Sequence, residues 1–195
     1  MYHYNFFIVG IGGSAGGIQP LKALIESIPA DSDAAFVIIQ HLHPGFRSRL
    51  DTILSKHANL PVVRADGFHA VRPGVIYVLA ENKMLTFKQG CLIARDRLAE
   101  EKVNYAIDIF FKSLAQEARN KAIAIVLSGA NADGSEGAKC ISENGGTVFV
   151  QDPMTADHQQ MPESVIEKDS PEDILPPEFL MTAVLDKLGY KKTFV

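Results

Sequence analysis

Ser14, His41 and an aspartate, either Asp133 or Asp152, are the side chains of this sequence that could together support hydrolysis. A serine hydroxyl is a weak nucleophile until a base removes its proton, and histidine is the base whose protonation suits neutral pH. A carboxylate then fixes the tautomer of the histidine and stabilises the imidazolium. These residue types therefore indicate acyl transfer through a serine, provided that the fold brings them together.

Ser14 lies in a glycine-rich loop, residues 10–17 (GIGGSAGG), and the loop alone leaves three interpretations open. It could cradle the pyrophosphate of a dinucleotide, as glycine fingerprints between a strand and a helix do. It could instead expose Ser14 on a tight strand-to-helix turn, because residues 12–16 fit Gly-x-Ser-x-Gly. A third interpretation is a loop that only lets a helix and a strand pack closely, with Ser14 as an incidental cap.

Pro20 locates the start of the helix that follows this loop. Proline lacks an N–H and is tolerated only in the first turn, so the helix is predicted to begin near Gly16 or Gly17. Its unpaired N–H groups and the positive end of its dipole would then lie beside Ser14. That arrangement suits an oxyanion as well as a phosphate.

The end of the second apolar segment helps to separate a nucleotide site from a hydrolase. A dinucleotide site needs Asp or Glu there to bind the ribose hydroxyls, whereas this chain has Gln40 followed by His41. We predict that His41 is the general base for Ser14. The alternative is a histidine at a strand end whose hydrogen bonds are made by the backbone.

The remaining histidines give little support for a metal site. His43 forms a His-x-His pair with His41, but no third Cys, Asp or His converges on the pair, so no metal is predicted. His57 lies near the end of a helical stretch. Surface or local structural roles in loops are predicted for His3, His69 and His158.

Two aspartates compete for the role of the acid, because each follows an apolar segment. Segment 122–128 is expected to lie on the other side of the first strand from the second, which would bring Asp133 to the point where strand order reverses. Asp152 follows segment 147–151, one strand further out. Position favours Asp133, and the alternative is that Asp133 caps a helix starting near Gly134.

The elements that must position these residues alternate along the chain. Four apolar runs are nearly continuous, which is typical of parallel strands with helices on both faces; they span residues 6–10, 35–40, 122–128 and 147–151. Weaker strands are predicted at 61–64 and 75–79, and a β-hairpin with a glycine turn at 84–95. Two helical faces are predicted, comprising Ile18, Leu21, Leu24, Ile25 and Ile28, and Ile107, Phe110, Phe111, Leu114 and Ala118.

This alternation predicts an α/β fold with a doubly wound, mainly parallel β-sheet, helices on both faces (three layers, αβα) and a small β-hairpin. A last helix is predicted at 178–188, after an acidic, proline-rich segment at 171–177. The chain order Ser, His, Asp differs from the Ser, Asp, His order of α/β-hydrolases, in which several strands precede the nucleophile. We predict one domain over residues 1–195, with a core at about 6–177.

Composition excludes several other classes of protein. The 195 residues are 47% hydrophobic and carry a net charge of −4, which disfavours nucleic acid or an anionic membrane as partner. No apolar run approaches the ~20 residues of a membrane span, and the first residues lack the basic region of a signal peptide. Cys91 and Cys140 stand far apart, in no metal or redox spacing. A cytoplasmic protein without metal or organic cofactor is predicted.

Taken in order, the motifs of the chain resemble the catalytic domain of the chemotaxis protein-glutamate methylesterases (CheB). They lie at residues 8–17 (IVGIGGSAGG), 37–42 (VIIQHL), 72–78 (RPGVIYV), 106–111 (AIDIFF), 126–129 (VLSG), 133–134 (DG), 151–153 (QDP) and 161–162 (MP). One motif alone would be weak, whereas the ordered set is specific and covers residues 6–177.

The resemblance implies hydrolysis of glutamate γ-methyl esters on receptor helices, and some members of the family also deamidate glutamine there. It implies Ser14 as nucleophile, His41 as base and Asp133, ahead of Asp152, as the orienting acid. The implied partner is a methylated chemoreceptor or a receptor-like helical protein. Receiver or methyltransferase modules on a longer or separate chain are further expected partners. The competing function is a weakly active or inactive phosphate- or nucleotide-binding module on the same fold.

Two departures from the family pattern fall at the site. The family often has Gly-Met-Gly before the acid, with the Met side chain near the catalytic histidine, whereas this chain has Ala130 and Asn131 after Gly129. Ala15 follows the serine where chemotaxis members often have threonine. The usual N-terminal receiver domain is not expected in this chain. The expected oxyanion and substrate loop comprises Gly13, Ala15, Gly16, Gly17, Ala130 and Asn131.

Overall fold

The computed structural model describes residues 4–43 and 45–190. Its main sheet contains seven strands, which are β1 (Ile8–Gly13), β2 (Ala35–Gln40), β3 (Val62–Ala65), β5 (Val75–Leu79), β8 (Ala122–Val126), β9 (Thr147–Gln151) and β10 (Asp173–Leu175). All of its pairings are parallel, and the strand order is β10-β9-β8-β1-β2-β5-β3. A small antiparallel sheet in the order β4-β7-β6 contains β4 (Phe68–Ala70), β6 (Lys83–Lys88) and β7 (Cys91–Asp96).

Helices cover both faces of the main sheet and bury two apolar clusters. The helices are α1 (Ile18–Glu26), α2 (Leu50–Leu54), α3 (Ala106–Ala118), α4 (Ser135–Glu143), α5 (Gln160–Lys168) and α6 (Pro177–Leu188). Residues of α3, α4, α5 and the small sheet form one cluster with the sheet, and residues of α1, α2 and α6 form the other. The predicted three-layer, doubly wound fold is confirmed.

Strand β1 lies at the centre, between β2 and β8, and its register fixes the site. Gly13, the last residue of β1, is opposite Gln40, the last residue of β2, while Gly12 is opposite Val126, the last residue of β8. The chain therefore leaves the carboxyl ends of three neighbouring parallel strands at the same edge. This is the edge at which strand order reverses, where ligands bind in open α/β sheets.

Two glycines of β1 allow α3 to pack directly on the strand. A Cβ atom at Gly10 would lie 2.8 Å from the Phe111 ring, and one at Gly12 would lie 2.6 Å from the Ile107 side chain. Real Cβ contacts are not this short, so larger residues would push the helix away. The close-packing interpretation of the glycine loop is therefore correct for these two positions and leaves the chemistry of Ser14 open.

The predicted bounds need four corrections. The first strand covers Ile8–Gly13 instead of 6–10, because its glycines continue the ladder, and β8 ends at Val126 instead of 128. The hairpin gains a third strand, so His69 lies in β4 and not in a loop. Part of the acidic segment 171–177 forms the short edge strand β10, whose mostly exposed residues give little apolar signal.

Three other predictions concern the ends of elements and their environment. The helix after the glycine loop begins at Ile18 with Gly17 as its N-cap, as Pro20 indicated, and the last helix begins at Pro177. Across residues 4–43 and 45–190, no helix has the length and apolar character needed to cross a bilayer. His3 lies outside the described residues.

Candidate active site

Ser14 follows β1, and its backbone is held on both sides. Its N–H donates to the carbonyl of Ser128, the second residue after β8, at 2.9 Å, and its own carbonyl accepts the Gly17 N–H at 3.0 Å. The second bond closes a tight turn, for which Gly16 adopts a positive φ of 74°. The sharp strand-to-helix turn expected around an exposed nucleophile is therefore present in the backbone.

His41 occupies the corresponding position on the next strand. Its N–H donates to the Gly13 carbonyl at 2.9 Å, which continues the β1–β2 ladder by one residue. Since Gly13 is opposite Gln40, Ser14 and His41 are the residues that follow a paired position, on strands about 5 Å apart. The two side chains line one open pocket of about 350 Å³.

Asp133 completes a hydrogen-bonded pair with His41. The distance from His41 Nε2 to Asp133 Oδ2 is 2.8 Å; 11% of the histidine side chain is exposed and 1% of the aspartate side chain. With Nε2 donating to the carboxylate, Nδ1 is the ring nitrogen left to accept a proton. The tautomer is thereby set, although the two ring nitrogens exchange the roles that they have in chymotrypsin.

The hydroxyl of Ser14 makes no hydrogen bond within residues 4–43 and 45–190. Catalytic hydrogen bonds are often long or poorly aligned before substrate binds, and they tighten in the complex. The register of β1 and β2 places Ser14 and His41 beside each other, and both line one pocket.

Asp133 is fixed by the start of α3, not by the helix that follows it. Its Oδ2 accepts the Ile107 N–H at 3.0 Å and its Oδ1 accepts the Asp108 N–H at 2.9 Å. These N–H groups belong to the first turn of α3, whose partial positive charge stabilises a carboxylate. The predicted alternative, that Asp133 caps the helix near Gly134, is therefore wrong, because its side chain caps α3 instead.

Asp108 makes the corresponding capping interaction at the start of α4. Its Oδ1 accepts the N–H groups of Gly134 at 3.0 Å and Gly137 at 2.7 Å. Asp108, in α3, therefore caps α4, and Asp133, which lies just before α4, caps α3. Burial raises the pKa of the Asp108 carboxyl, and the nearby charge of Asp133 raises it further. No sequence pattern predicts this role for Asp108, because its partners lie 26 and 29 residues away along the chain.

We expect replacement of Asp108 by asparagine to make the protein relatively more stable as the pH rises. Asparagine keeps an oxygen that accepts from Gly134 and Gly137 but cannot ionise. A carboxyl whose pKa is raised in the folded protein binds more protons there than in the unfolded chain. Its contribution to the free energy of unfolding therefore decreases as the pH rises above the pKa that it has in the unfolded chain. The variant escapes this decrease.

The measurement is chemical denaturation of both proteins between about pH 3.5 and pH 7. The free energy of unfolding of the variant minus that of the wild type should increase over this interval. A difference that stays constant or decreases would show that the buried carboxyl at 108 does not bear the unfavourable charge.

Asp152, the other candidate acid, has a backbone N–H as its hydrogen-bond partner and not His41. Its Oδ1 accepts the Met154 N–H at 2.9 Å and caps the short 3-10 helix Pro153–Thr155. As predicted, β9 places it one strand further out than Asp133. The geometry therefore gives Asp152 a local structural role.

Three of the other described histidines make local hydrogen bonds. His43 Nδ1 accepts the Gly45 N–H, and His57 pairs with Glu26 at 2.5 Å. His158, in the loop before α5, donates its backbone N–H to the Ser128 hydroxyl at 3.0 Å. Among residues 4–43 and 45–190, no group of three or more His, Cys, Asp or Glu side chains could hold a metal ion.

Hydrogen bonds within the expected oxyanion loop reduce the number of its N–H groups that are free to bind an oxyanion. The Gly17 N–H is already donated to Ser14, whereas the N–H groups of Ala15 and Gly16 have no partner within the described residues. Gly13 ends β1 and supplies space beside Gln40. Ala15 and Gly16 line the pocket and are the loop amides free to bind an oxyanion.

Ala130 and Asn131 are exposed beside the site. The Asn131 side chain accepts the Asp133 N–H at 3.1 Å and so steadies the backbone of the acid. A Cβ atom at Gly129 would lie 1.9 Å from the sulfur of Met161 and 3.0 Å from Ser14 Cβ. Gly129 therefore lies between Met161 of α5 and Ser14 and leaves no room for a larger side chain.

The pocket carries little positive charge. Apart from His41, its charged side chain among the described residues is Asp157, an exposed carboxylate on the rim. An anionic phosphate would be repelled by Asp157 and would find no lysine or arginine in the lining. These electrostatics disfavour the predicted alternative of a phosphate or nucleotide site.

Together, the doubly wound sheet and the serine, histidine and aspartate at its switch point define an α/β protein with the parts of a serine esterase. The family model "CheB methylesterase" matches residues 9–184, which is most of the chain. The chain belongs to the CheB methylesterase family. The family resemblance expected from the motifs is confirmed.

Individual relatives agree with this assignment. A chain of Leptospira interrogans, provisionally named as a protein-glutamate methylesterase/protein-glutamine glutaminase, is 34% identical over 178 residues, covering 88% of this chain and 89% of the relative. The protein-glutamate methylesterase/protein-glutamine glutaminase of Thermotoga maritima is 33% identical, over 87% of this chain and 50% of its own length.

A solved structure matches the whole architecture. The catalytic domain of the Thermotoga maritima CheB methylesterase superposes with a TM-score of 0.85 at 29% identity. The match covers 94% of this chain and 100% of that domain. This chain therefore has the fold of a CheB catalytic domain.

Proposed function

We propose that this chain is a protein-glutamate methylesterase that hydrolyses glutamate γ-methyl esters through Ser14, His41 and Asp133. The observation that carries the proposal is the 2.8 Å hydrogen bond from His41 to Asp133, with Ser14 on the same pocket as the imidazole. The names of the relatives supply the substrate class. They also name a glutaminase activity, which would use the same nucleophile on an amide.

The reaction proceeds by two acyl transfers. The Ser14 oxygen attacks the ester carbonyl while Nδ1 of His41 takes its proton, and a tetrahedral intermediate forms. The bond to the methoxy group then breaks, and methanol leaves with the proton returned by His41. Water, deprotonated by His41, attacks the acyl-enzyme, and the glutamate carboxylate is released as Ser14 regains its proton.

Asp133 and the loop amides stabilise the charges that appear during these steps. The Asp133 carboxylate, which is bonded to the first turn of α3, stabilises the imidazolium through Nε2–H. The N–H groups of Ala15 and Gly16 are the donors for the oxyanion, where preorganised dipoles act without reorganisation. This division of labour requires no metal or organic cofactor.

The surroundings of the pocket suit a side chain presented by another protein. A second hollow of about 470 Å³ continues from the first along α1 and shares Gly16, Gln19 and Asp157 with it. Such an open surface accommodates a helix that presents one esterified glutamate. We therefore propose a methylated chemoreceptor, or a receptor-like helical protein, as partner, and the cytoplasm as the place of action.

The experiment is release of methanol from a methylated receptor cytoplasmic segment by the purified chain. Release that depends on Ser14 supports the proposal. Absence of release from several methylated receptors, with the protein folded, would contradict it. The single domain over 1–195 and contacts with receiver or methyltransferase modules stay predictions.

We expect Asp133→Ala to reduce methanol release by about 10²-fold to 10⁴-fold, and Asp152→Ala to leave it within about threefold of wild type. Loss of the first carboxylate removes the partner of His41 Nε2 and two caps of α3, whereas loss of the second removes only the cap of a 3-10 helix.

Both variants remove one carboxylate that accepts backbone N–H groups, two at Asp133 and one at Asp152. Turnover of each is measured at a temperature well below its midpoint of thermal unfolding. The reverse ranking of the two variants would transfer the role of the acid to Asp152.

A further inference from the structure

Gln40 is a buried polar side chain bound to the nucleophile loop. It ends β2, is 6% exposed, and donates from Nε2 to the Ser14 carbonyl at 2.6 Å. Its Oε1 atom is buried and has no hydrogen-bond partner among the described residues. Since buried polar atoms are normally paired, a site chosen for stability alone would not leave this acceptor unsatisfied.

The glycines on either side of Ser14 leave room for this amide. A Cβ atom at Gly13 would lie 2.6 Å from Gln40 Oε1, and one at Gly17 would lie 2.9 Å from it. Any larger residue at these positions would therefore displace the Gln40 side chain. This contact gives a physical reason for glycine at positions 13 and 17 that is independent of turn geometry.

Ser128 binds the loop from the other neighbouring strand. It follows β8, is fully buried, and its hydroxyl donates to the Ala15 carbonyl at 2.8 Å. The same oxygen accepts the His158 N–H at 3.0 Å, and the His158 carbonyl, at 3.3 Å, is a more distant acceptor for the hydroxyl than the Ala15 carbonyl. The Gln151 side chain holds Ser128 in place by accepting its N–H at 2.9 Å.

The two carbonyls that are held in this way belong to the two peptide groups whose N–H groups are free. In a planar trans peptide the C=O and the following N–H point in opposite directions. Binding of the Ser14 carbonyl by Gln40 therefore directs the Ala15 N–H away from Gln40. Binding of the Ala15 carbonyl by Ser128 directs the Gly16 N–H away from Ser128.

We propose that Gln40 and Ser128 are positioning residues, which fix the peptide groups of the nucleophile loop so that the Ala15 and Gly16 N–H groups face the oxyanion. The inference rests on the proposed esterase function and adds to it the residues that preorganise the hole. Neither side chain touches the ester in this account. Both act through the backbone of the loop.

The test compares Gln40→Met and Ser128→Ala with Ser32→Ala as a matched control. Methionine keeps the length of glutamine but has no N–H donor, and alanine removes only the hydroxyl. Ser32 is also buried, at 4% exposed, but its hydroxyl has no partner in the described part of the chain. Gln40→Glu gives a second test at position 40, because a carboxylate cannot donate to the Ser14 carbonyl.

We expect kcat for methanol release to fall by about 10-fold to 10²-fold in each loop variant, since loss of a whole oxyanion donor costs ~10²–10³. KM should stay within about twofold, because the lost interaction acts in the transition state. The position of the acidic limb in the pH profile of kcat/KM should not move, because His41 and Asp133 are unaffected. Ser32→Ala should behave as wild type.

Three results would overturn the inference alone. The first is a kcat within about twofold of wild type in both Gln40→Met and Ser128→Ala. The second is a rise in KM with kcat unchanged. The third is a shifted acidic limb in the pH profile, which would place the effect on His41. An inactive wild-type chain would instead overturn the proposed function together with this inference. Thermal unfolding of each variant separates a loss of turnover from a loss of fold, and Ser128→Ala tests its own residue should position 40 tolerate no change.

Discussion

Ser14→Ala is expected to reduce methanol release by ~10⁴-fold or more while the fold survives. The proposed reaction passes through an acyl-enzyme on the Ser14 oxygen, so removal of this oxygen leaves only the slow direct attack of water assisted by the loop amides. The side chain makes no hydrogen bond within residues 4–43 and 45–190, and stability should therefore change little. The backbone bonds to Ser128 and Gly17 do not depend on the hydroxyl.

Turnover of Ser14→Ala is measured as methanol released from a methylated receptor segment, and unfolding is followed by circular dichroism. The expected result is a loss of rate with an unchanged unfolding midpoint. A folded variant that retains more than about a tenth of wild-type turnover would show that another group attacks the ester.

His41→Ala is expected to have a comparable effect, again ~10⁴-fold or more on turnover. Without the imidazole, Ser14 loses its proposed base, and Asp133 loses its partner at 2.8 Å. The variant also leaves a buried carboxylate whose remaining hydrogen-bond donors are the N–H groups of Ile107 and Asp108. Those two bonds should keep α3 in place and preserve the fold.

His57→Ala is the matched control for this variant. His57 also pairs with a carboxylate, Glu26, but on the surface of α1 and away from the pocket. Turnover of His57→Ala should equal that of the wild type. Equal losses in the two variants, or near-normal turnover of His41→Ala, would remove His41 from the mechanism.

The central strands and the positions of the site residues could be predicted from the sequence because their signals are local. Continuous apolar runs mark strands that are covered on both faces, and functional groups follow their carboxyl ends. His41 follows β2 directly, so its place beside Ser14 followed from topology alone. The choice of Asp133 over Asp152 needed the strand order, which places β8 and not β9 beside β1.

The remaining features depend on contacts between distant residues and leave no local pattern. Asp108 and Asp133 cap each other's helices, and neither role is visible from an aspartate in a helical or loop segment. The sequence marks Gln40 only as the residue before His41, and it does not predict the hydrogen bond from Gln40 to the Ser14 carbonyl. Strand β10 has three residues, of which none is fully buried, so hydrophobic periodicity could not detect it.

The arrangement also explains why a short chain can hold three distant residues in register. Ser14 and His41 directly follow β1 and β2, and Asp133 lies in the loop after β8. These three strands are adjacent and parallel, so the sheet brings together residues that are distant along the sequence. Two further buried side chains, Gln40 and Ser128, come from the same two neighbouring strands. The sheet edge thus supplies nucleophile, base and loop supports from rigid elements, which preorganises the site.

Covalent labelling with an organophosphonate tests the activated serine most directly. The wild-type chain should gain the mass of one phosphonyl group, and peptide mass spectrometry should locate it on Ser14. His41→Ala should react far more slowly, and Ser14→Ala not at all. A folded wild-type chain that remains unlabelled, or a label on another residue that persists in Ser14→Ala, would contradict the account.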